Sequence, residues 1–162
     1  TQAASAVGDT HDEISGDGVI LRPATMGDAD FLFRLRNDPE TRRQSLHEEP
    51  LLNSQHGLWL ERMLSTPWCH LYVADVGGQP VGTGRLDFHH PEIAEVSLTV
   101  APERRGAGHG ADLVAALVNE ARNFRCRTLV AEVKGTNPAS LLAFLKNGFL
   151  VPNGLVRLER QL

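Results

Sequence analysis

The sequence of 162 residues has few cysteines and no long apolar run. Cys69 and Cys126 lack the CxxC spacing of a metal or redox site, and an isolated pair of this kind indicates two reduced, partly buried thiols. The longest stretch without a formal charge, residues 63–74, falls short of the ~20 apolar residues that a membrane-spanning helix needs. We therefore expect no membrane span, no disulfide and no metal site.

The sequence also lacks an excess of positive charge. The formal net charge is −4, which argues against nucleic acid binding, although a local basic patch can still hold a small anion. No Lys or Arg precedes Arg22, and no apolar segment has the form of a secretory signal, so we expect a cytoplasmic protein. Residues 1–17 have too few large apolar groups to offset the entropy of ordering. We interpret them as a flexible tail before one domain, residues 18–162.

The overall composition, 41% hydrophobic and 22% charged residues, is typical of a globular domain. The period of the hydrophobic residues changes along the chain. The first part predicts a strand over 19–23, a helix that begins with a capping box at 25–28, and a second helix over 54–65 with Ser54 as its cap. The period of two that follows predicts an antiparallel meander with a Gly-containing turn at 77–80. Its three strands cover residues 70–76, 81–88 and 93–100.

After the meander the helical period returns. It predicts a helix over 110–124, a strand over 128–133, and a last helix that Asn137 caps and Gly148 ends. The leucines expected on the buried side of that helix are Leu141, Leu142 and Leu145. A final hairpin is expected from two runs, 149–151 and 155–158. Together these elements predict an α/β (α+β) domain in which helices flank a mixed, mostly antiparallel sheet.

Three alternate glycines follow the meander, within residues 100–110, and lead into the long helix. Such a loop exposes successive backbone N–H groups at the positive end of the helix dipole, and Arg104 and Arg105 lie beside it. These features predict a site for a di- or polyphosphate, whereas a plain tight turn is the alternative. The run 106–111 also fits the dinucleotide fingerprint, but that fold needs the loop after its first parallel strand and several further βα units. Only 28 residues follow Lys134, so we reject a dinucleotide fold.

Two blocks of the sequence carry a more specific pattern. Residues 105–110, Arg-Gly-Ala-Gly-His-Gly, match the signature R-x-x-G-x-G/A, and residues 137–149 fit a block N-x-x-A/S…Y…GF at the correct spacing. In this order the blocks resemble the GNAT superfamily of acetyl-CoA-dependent N-acetyltransferases, in which the first block binds the pyrophosphate. The succession of predicted elements also agrees, so the resemblance covers about residues 18–162.

The resemblance implies acetyl-CoA as co-substrate and a pose for it. In that family the fourth strand pairs with the pantetheine arm as an added strand would, and it splays from its parallel neighbour. Carried over, the pantetheine contacts fall on Leu98, Thr99 and Val100, with the reacting carbonyl near the Val100 amide. The pyrophosphate contacts fall on Arg105, Gly106, Ala107, Gly108, His109 and Gly110. Asn137 is expected to reach the pantetheine arm, to act as a plain helix cap, or to do both.

The sequence departs from the family pattern at Phe144, a predicted cofactor contact where the family usually has a Tyr that can protonate the departing sulfur. A thiol leaves tolerably as a thiolate, so this loss need not abolish transfer, and Ser140 or a water is the candidate proton donor. Glu95 is the candidate general base, and its alternative is a strand-end ion pair with an Arg. Catalysis by His89 or His90 is a weaker alternative, because adjacent exposed histidines are usually only solvated.

The N-terminal third supplies Arg, Asn, His and Trp to the two-helix region, which forms much of the acceptor pocket in the superfamily. It resembles the pattern LRND…R…S…H-x-x-WL of acetyltransferases that act on nucleotide-linked amino sugars. This resemblance implies that Arg34, Arg36 or Arg42 faces a phosphate and that Trp59 stacks on a ring. The alternative is an amphipathic helix pair in which Trp59 belongs to the core and the arginines are solvated.

The sequence thus predicts an N-acetyltransferase that uses direct attack by a primary amine, since neither Cys falls in the two blocks. The first expectation for the acceptor is a small amine such as an amino-sugar nucleotide. The alternatives are the N-terminus of a ribosomal protein or peptide, and a non-catalytic acyl-CoA-binding module, which the missing Tyr favours. No nucleic acid or membrane partner is expected, and a homodimer is compatible with the sequence.

Overall fold

A computed structural model describes residues 18–45, 48–134, 136–151 and 157–162 of the chain. The predicted tail, residues 1–17, lies outside the described residues. Six strands form one sheet in the order β1-β2-β3-β4-β5-β6. The strands are β1 (Ile20–Pro23), β2 (Cys69–Val76), β3 (Gln79–His90), β4 (Ile93–Val100), β5 (Thr128–Glu132) and β6 (Arg157–Gln161). Neighbouring strands are antiparallel except β4 and β5, which are parallel, so the sheet is mixed and mostly antiparallel as predicted.

Helices cover both faces of this sheet. They are α1 (Ala29–Asn37), α2 (Pro39–Gln44), α3 (Asn53–Ser65), α4 (His109–Asn123) and α5 (Pro138–Lys146). The α1/α3 face carries a small apolar cluster formed by Ala24, Leu32, Leu60, Leu71 and Val73. The larger core lies on the other face, where α4 and α5 cover side chains that include Leu86 on β3 and Ala94 and Val96 on β4. None of the described helices combines the length and the apolarity needed to cross a membrane.

Several local predictions are confirmed. The Thr25 N–H donates to Asp28 Oδ2 at 2.9 Å, as the predicted capping box requires, although the first turn, Met26–Asp28, is a 3-10 helix that precedes α1. The meander has the expected strand pairing. Its turn is shorter than predicted, because Gly77 and Gly78 adopt φ of 56° and 77° and close a two-residue hairpin. The two residues that follow, 79–80, therefore belong to β3.

Two predictions about the helices are wrong in detail. Helix α3 begins at Asn53 rather than after Ser54, and the Leu52 N–H donates to Gln55 Oε1 at 3.1 Å. In α5, Leu142 and Leu145 are 56% and 41% exposed. The buried residues of that helix are Ala143 and Phe144, because α5 approaches α4 closely on its small-residue side.

The last strand also differs from the expected hairpin. Residues 152–156 lie outside the described residues, and Leu150 makes only an isolated bridge with Glu159. Strand β6 pairs instead along the whole of β5, so the carboxyl end of the chain forms the sheet edge next to the parallel pair.

Candidate active site

The parallel strands β4 and β5 separate in the middle of β4. Their pairing runs from Ile93 opposite Thr128 to Glu95 opposite Val130 and then stops. Strand β4 nevertheless continues to Val100, still paired with β3 on its other side. The last five residues of β4, 96–100, therefore have an open edge toward β5, which is the splay that the sequence resemblance implied.

The alternation of the backbone shows which groups face this gap. The Ala101 N–H donates to Val81 O at 2.8 Å, so residue 101 points toward β3. Because successive residues of a strand direct their N–H groups to opposite sides, Thr99 also points toward β3, whereas Leu98 and Val100 point into the gap. An unpaired edge of this kind can accept an extended ligand as an additional strand.

The glycine loop lies at the open end of the gap. Gly106 and Gly108 adopt φ of 81° and 83°, which favours glycine, and nothing lies within 4 Å of where a Cβ would be at either position. Gly108 is the N-cap of α4, and the first helical N–H to bond back is that of Asp112, 3.3 Å from Gly108 O. The N–H groups of the first helical turn, residues 109–111, are therefore available to an anion at the positive end of the helix.

The Arg105 side chain connects this loop to α2. Its Nη2 donates to Asp38 Oδ2 and to Thr41 Oγ1, both at 3.0 Å. Asp38 also caps α2 by accepting from the Thr41 N–H at 3.0 Å. Burial by itself would raise the pKa of Asp38, but the Thr41 amide and the Arg105 guanidinium hold it below its usual value. The Asp-Pro pair at 38–39 is a helix-start signal that our sequence reasoning did not use.

Contacts at the other end of α2 reach the far side of the gap. Lys134 Nζ donates to Arg43 O at 2.7 Å and to Glu48 Oε1 at 2.6 Å, and Gln44 Nε2 donates to Thr136 O at 3.2 Å. Helix α2 thus extends from the glycine loop to the segment that follows β5. An open cleft of about 590 Å³ lies at this second contact and is lined by Glu40, Arg43, Gln44, Glu48, Lys134 and Thr136.

The second sequence block begins α5. Asn137 Oδ1 accepts from the Ser140 N–H at 3.2 Å, which confirms the helix cap, while its contact with pantetheine stays a prediction. Ser140 is half-buried beside this cap. Phe144 is 2% exposed and packs against Phe149 with ring centroids 5.0 Å apart. The position that carries Tyr in the family is thus occupied here by an apolar ring in the core, without a hydroxyl.

Glu95 lies where the gap begins, on the α1/α3 face of the sheet. Its partner is His89, with Oε2 3.5 Å from Nε2, rather than the Arg that the alternative reading expected. Directly opposite Glu95 on β3 lies Asp87, which is 7% exposed and accepts from Arg85 Nε at 2.6 Å. This pair was not predicted from the sequence, although charged residues at i and i+2 of a strand lie on the same face of the sheet.

The three candidate acceptor arginines lie in two different surroundings. Arg34 forms an exposed ion pair with Glu103 at 2.9 Å and so joins α1 to the turn before the glycine loop. Arg36 is half-buried, and burial followed by the neighbouring charge of Arg42 lowers its pKa. The Arg42 Nε is buried and has no acceptor among the described residues. Arg36 on α1 and Arg42 on α2 therefore bring two positive charges close together, whereas Arg34 does not belong to this pair.

Trp59 lies beside this pair. Its ring is 5.2 Å from that of His56, which in turn lies 5.4 Å from Phe33. Burial, and then the charge of Arg36, lower the pKa of His56. Trp59 is partly buried against the small apolar cluster, so it contributes to packing, and its contact with a substrate ring stays a prediction. No group of His, Cys, Asp and Glu in the described ranges could hold a metal ion.

Comparisons with known proteins agree with this geometry. The model of the acetyltransferase (GNAT) family matches residues 30–149. The chain is 32% identical over 118 residues to a mycothiol acetyltransferase of Stackebrandtia nassauensis. That match covers 73% of this chain and 37% of the relative, so the chain spans just over a third of its length.

Solved structures show the same fold. The aminoglycoside acetyltransferase AAC(6′)-Ib, in complex with ribostamycin and coenzyme A, is 20% identical with a TM-score of 0.77 over 90% of this chain and 94% of that one. The ribosomal-protein-alanine N-acetyltransferase from Brucella melitensis is 25% identical with a TM-score of 0.72 over 88% and 99%. Since the family model matches most of the sequence and includes both the gap and the glycine loop, the chain belongs to the GNAT acetyltransferase family.

Proposed function

We propose that this protein transfers the acetyl group of acetyl-CoA to a primary amine of a small molecule. The observation that carries the proposal is the gap between β4 and β5, which opens beside the glycine loop. The amides of Leu98 and Val100 face this gap and would pair with the pantetheine arm. The N–H groups of residues 106–110 would hold the pyrophosphate at the start of α4. The N–H of Arg105, which the sequence prediction also included, instead donates to Pro102 O at 3.4 Å.

The chain's own groups suggest how the reaction proceeds. Glu95, where the gap begins, would remove the proton from the attacking amine, either directly or through a water. Phe144 offers no proton to the leaving sulfur, so coenzyme A would depart as a thiolate or take a proton from Ser140 or a water. The thiol is a tolerable leaving group because its ordinary pKa is about 8.5. No covalent enzyme intermediate is needed in this route.

The acceptor that we propose carries an anionic group, as an amino-sugar nucleotide does. Arg36 on α1 and Arg42 on α2 bring two positive charges together, and Arg42 Nε is a buried donor without an acceptor among the described residues. A phosphate would satisfy such donors with charge-assisted hydrogen bonds. The same two charges would repel polycations such as the aminoglycosides and the spermidine named for two of the structural relatives.

Two measurements, made one after the other, test this function. Thermal unfolding should shift upward with coenzyme A and not with NAD(H), because binding to the native state alone stabilises it. Release of free thiol from acetyl-CoA should then be faster with glucosamine 6-phosphate than with glucosamine, spermidine or an alanine-terminated peptide. Stabilisation by coenzyme A together with no thiol release for any amine would instead favour the acyl-CoA-binding module.

A further inference from the structure

We propose that Arg85, positioned by Asp87, binds an anionic group of the acceptor on the α1/α3 face of the sheet. This inference rests on the proposed function and names a binding residue for its substrate. Arg85 lies on β3, between Gly84 and Leu86. Those two neighbours face α4, since a Cβ at Gly84 would lie 2.7 Å from Leu117 Cδ1 and Leu86 is fully buried in the main core. Arg85 therefore points to the opposite face.

The register places Arg85 close to the gap. It pairs with Ser97 on β4, which is two residues beyond Glu95 and lies in the part of β4 that β5 no longer covers. Paired residues in an antiparallel ladder have Cα atoms about 5 Å apart. A group held by Arg85 would thus lie within one strand spacing of the open segment of β4, on the side where α1 and α3 form the acceptor region.

Only one of the three nitrogen atoms of the Arg85 guanidinium has a hydrogen-bond acceptor among the described residues. Its Nε donates to Asp87 Oδ2 at 2.6 Å, and neither Nη atom has a hydrogen-bond acceptor in the parts of the chain that the structure describes. The side chain is 29% exposed, which leaves these donors accessible, whereas the Asp87 side chain is 10% exposed. Asp87 Oδ1 is buried and accepts no hydrogen bond of good geometry in the described residues. The Asp87 carboxylate thus orients Arg85, and its neighbour on β2 is the Cys69 thiol.

A second Arg–Asp pair in the same sheet shows the purely structural version of this contact. Arg22 Nε donates to Asp75 Oδ2 at 2.9 Å, and Asp75 Oδ1 is also buried without a partner among the described residues. The two Nη atoms of Arg22, however, donate to the Asp28 carboxylate at 2.9 and 2.8 Å. Among the described residues, no carboxylate occupies the corresponding place at Arg85. The geometry assigns that place to a ligand carboxylate or phosphate, which a guanidinium fork binds through two parallel hydrogen bonds.

The test uses three amines that differ in one group: O-phosphoethanolamine, β-alanine and ethanolamine. We expect kcat/KM of the wild type to be higher for the two anionic amines than for ethanolamine, by about 10- to 100-fold, as for hydrogen bonds to a charged group. Arg85→Gln should lower this ratio at least several-fold, leaving the share that Arg36 and Arg42 contribute, without changing the KM of acetyl-CoA. Preference for O-phosphoethanolamine over β-alanine would identify a phosphate as the group bound, and the reverse would identify a carboxylate.

Two further variants separate position from charge. Asp87→Asn should raise the KM for the anionic amines several-fold more than the KM for ethanolamine, because the Asp87 carboxylate positions Arg85. The matched control Asp75→Asn removes the charge from the other Arg–Asp pair and should leave the selectivity unchanged. A wild type without preference for the anionic amines, or an Arg85→Gln variant that keeps the wild-type preference, would overturn the inference.

A binding measurement keeps this test independent of turnover. With coenzyme A bound, so that the glycine loop is filled, O-phosphoethanolamine should raise the melting temperature of the wild type and of Asp75→Asn clearly more than that of Arg85→Gln. Equal shifts in all three proteins would reject the role of Arg85. If coenzyme A itself failed to stabilise the wild type, the proposed function would fail, and the same comparison with O-phosphoethanolamine alone would still decide whether Arg85 binds anions.

Discussion

Adding one methyl group to the glycine loop gives a sharp test of where coenzyme A binds. We select Gly108→Ala, with Gly78→Ala in the β2–β3 turn as its control. Both glycines have positive φ, 83° and 77°, and at both positions a new Cβ would meet nothing within 4 Å. The two substitutions therefore place the same methyl group in the same type of backbone and in equally open space.

The expected loss of stability is similar for the two variants. An alanine in left-handed conformation costs roughly 1–2 kcal/mol relative to glycine, and no packing clash adds to this cost. For a domain of this size the melting temperature should fall by about 2–8 °C in both proteins. The variants should differ only with coenzyme A present, because the methyl group at position 108 stands between the α4 N–H groups and an approaching phosphate.

The assay is thermal unfolding with and without coenzyme A. A ligand at 100 times its Kd stabilises a protein by about 2.7 kcal/mol, and a tenfold loss of affinity removes about 1.4 kcal/mol of that. Gly78→Ala should keep the full wild-type increase in melting temperature, and Gly108→Ala should lose at least half of it. A Gly108→Ala variant that responds to coenzyme A as strongly as the control does would show that the pyrophosphate binds elsewhere.

Substitutions at three further positions test individual contacts. Asp38→Asn keeps an N-cap for α2 and loses only a partly exposed ion pair with Arg105, so it should lower the free energy of unfolding by under about 1 kcal/mol. Asp38→Ala also loses the cap and should lower it by about 1 kcal/mol more. Denaturant titrations measure both losses. The lowered pKa of His56 means that its native state binds fewer protons than the unfolded chain, so below about pH 6.5 the wild type should lose up to about 1.4 kcal/mol per pH unit relative to His56→Phe. Parallel pH curves for these two proteins would contradict the buried neutral imidazole. Glu95→Gln should lower kcat by about 10²- to 10⁴-fold at pH 7 with little change in the KM of acetyl-CoA, and a wild-type kcat would remove Glu95 as the base.

Features that depend on a few adjacent residues could be predicted from the sequence. The capping box at Thr25, the Asn137 cap and the meander all follow from local backbone preferences and from the period of the side chains. The glycine loop could be predicted for the same reason, because the positive φ of Gly106 and Gly108 is a local backbone property that favours glycine. The errors occurred where a neighbouring element decides, as in α5, where close approach to α4 buries Ala143 and leaves Leu142 exposed.

The amino-acid sequence by itself thus determined the family, the order of elements and the loop at the start of α4. The tertiary structure alone decided that β4 and β5 separate after Glu95, that Arg105 contacts Asp38 on α2, and that Arg85 points to the α1/α3 face, where the described residues offer its Nη donors no acceptor. The physical reason is the distance along the chain. Arg105 and Asp38 are 67 residues apart, and the divergence of two strands depends on what packs beside each of them, which no local pattern of side chains records.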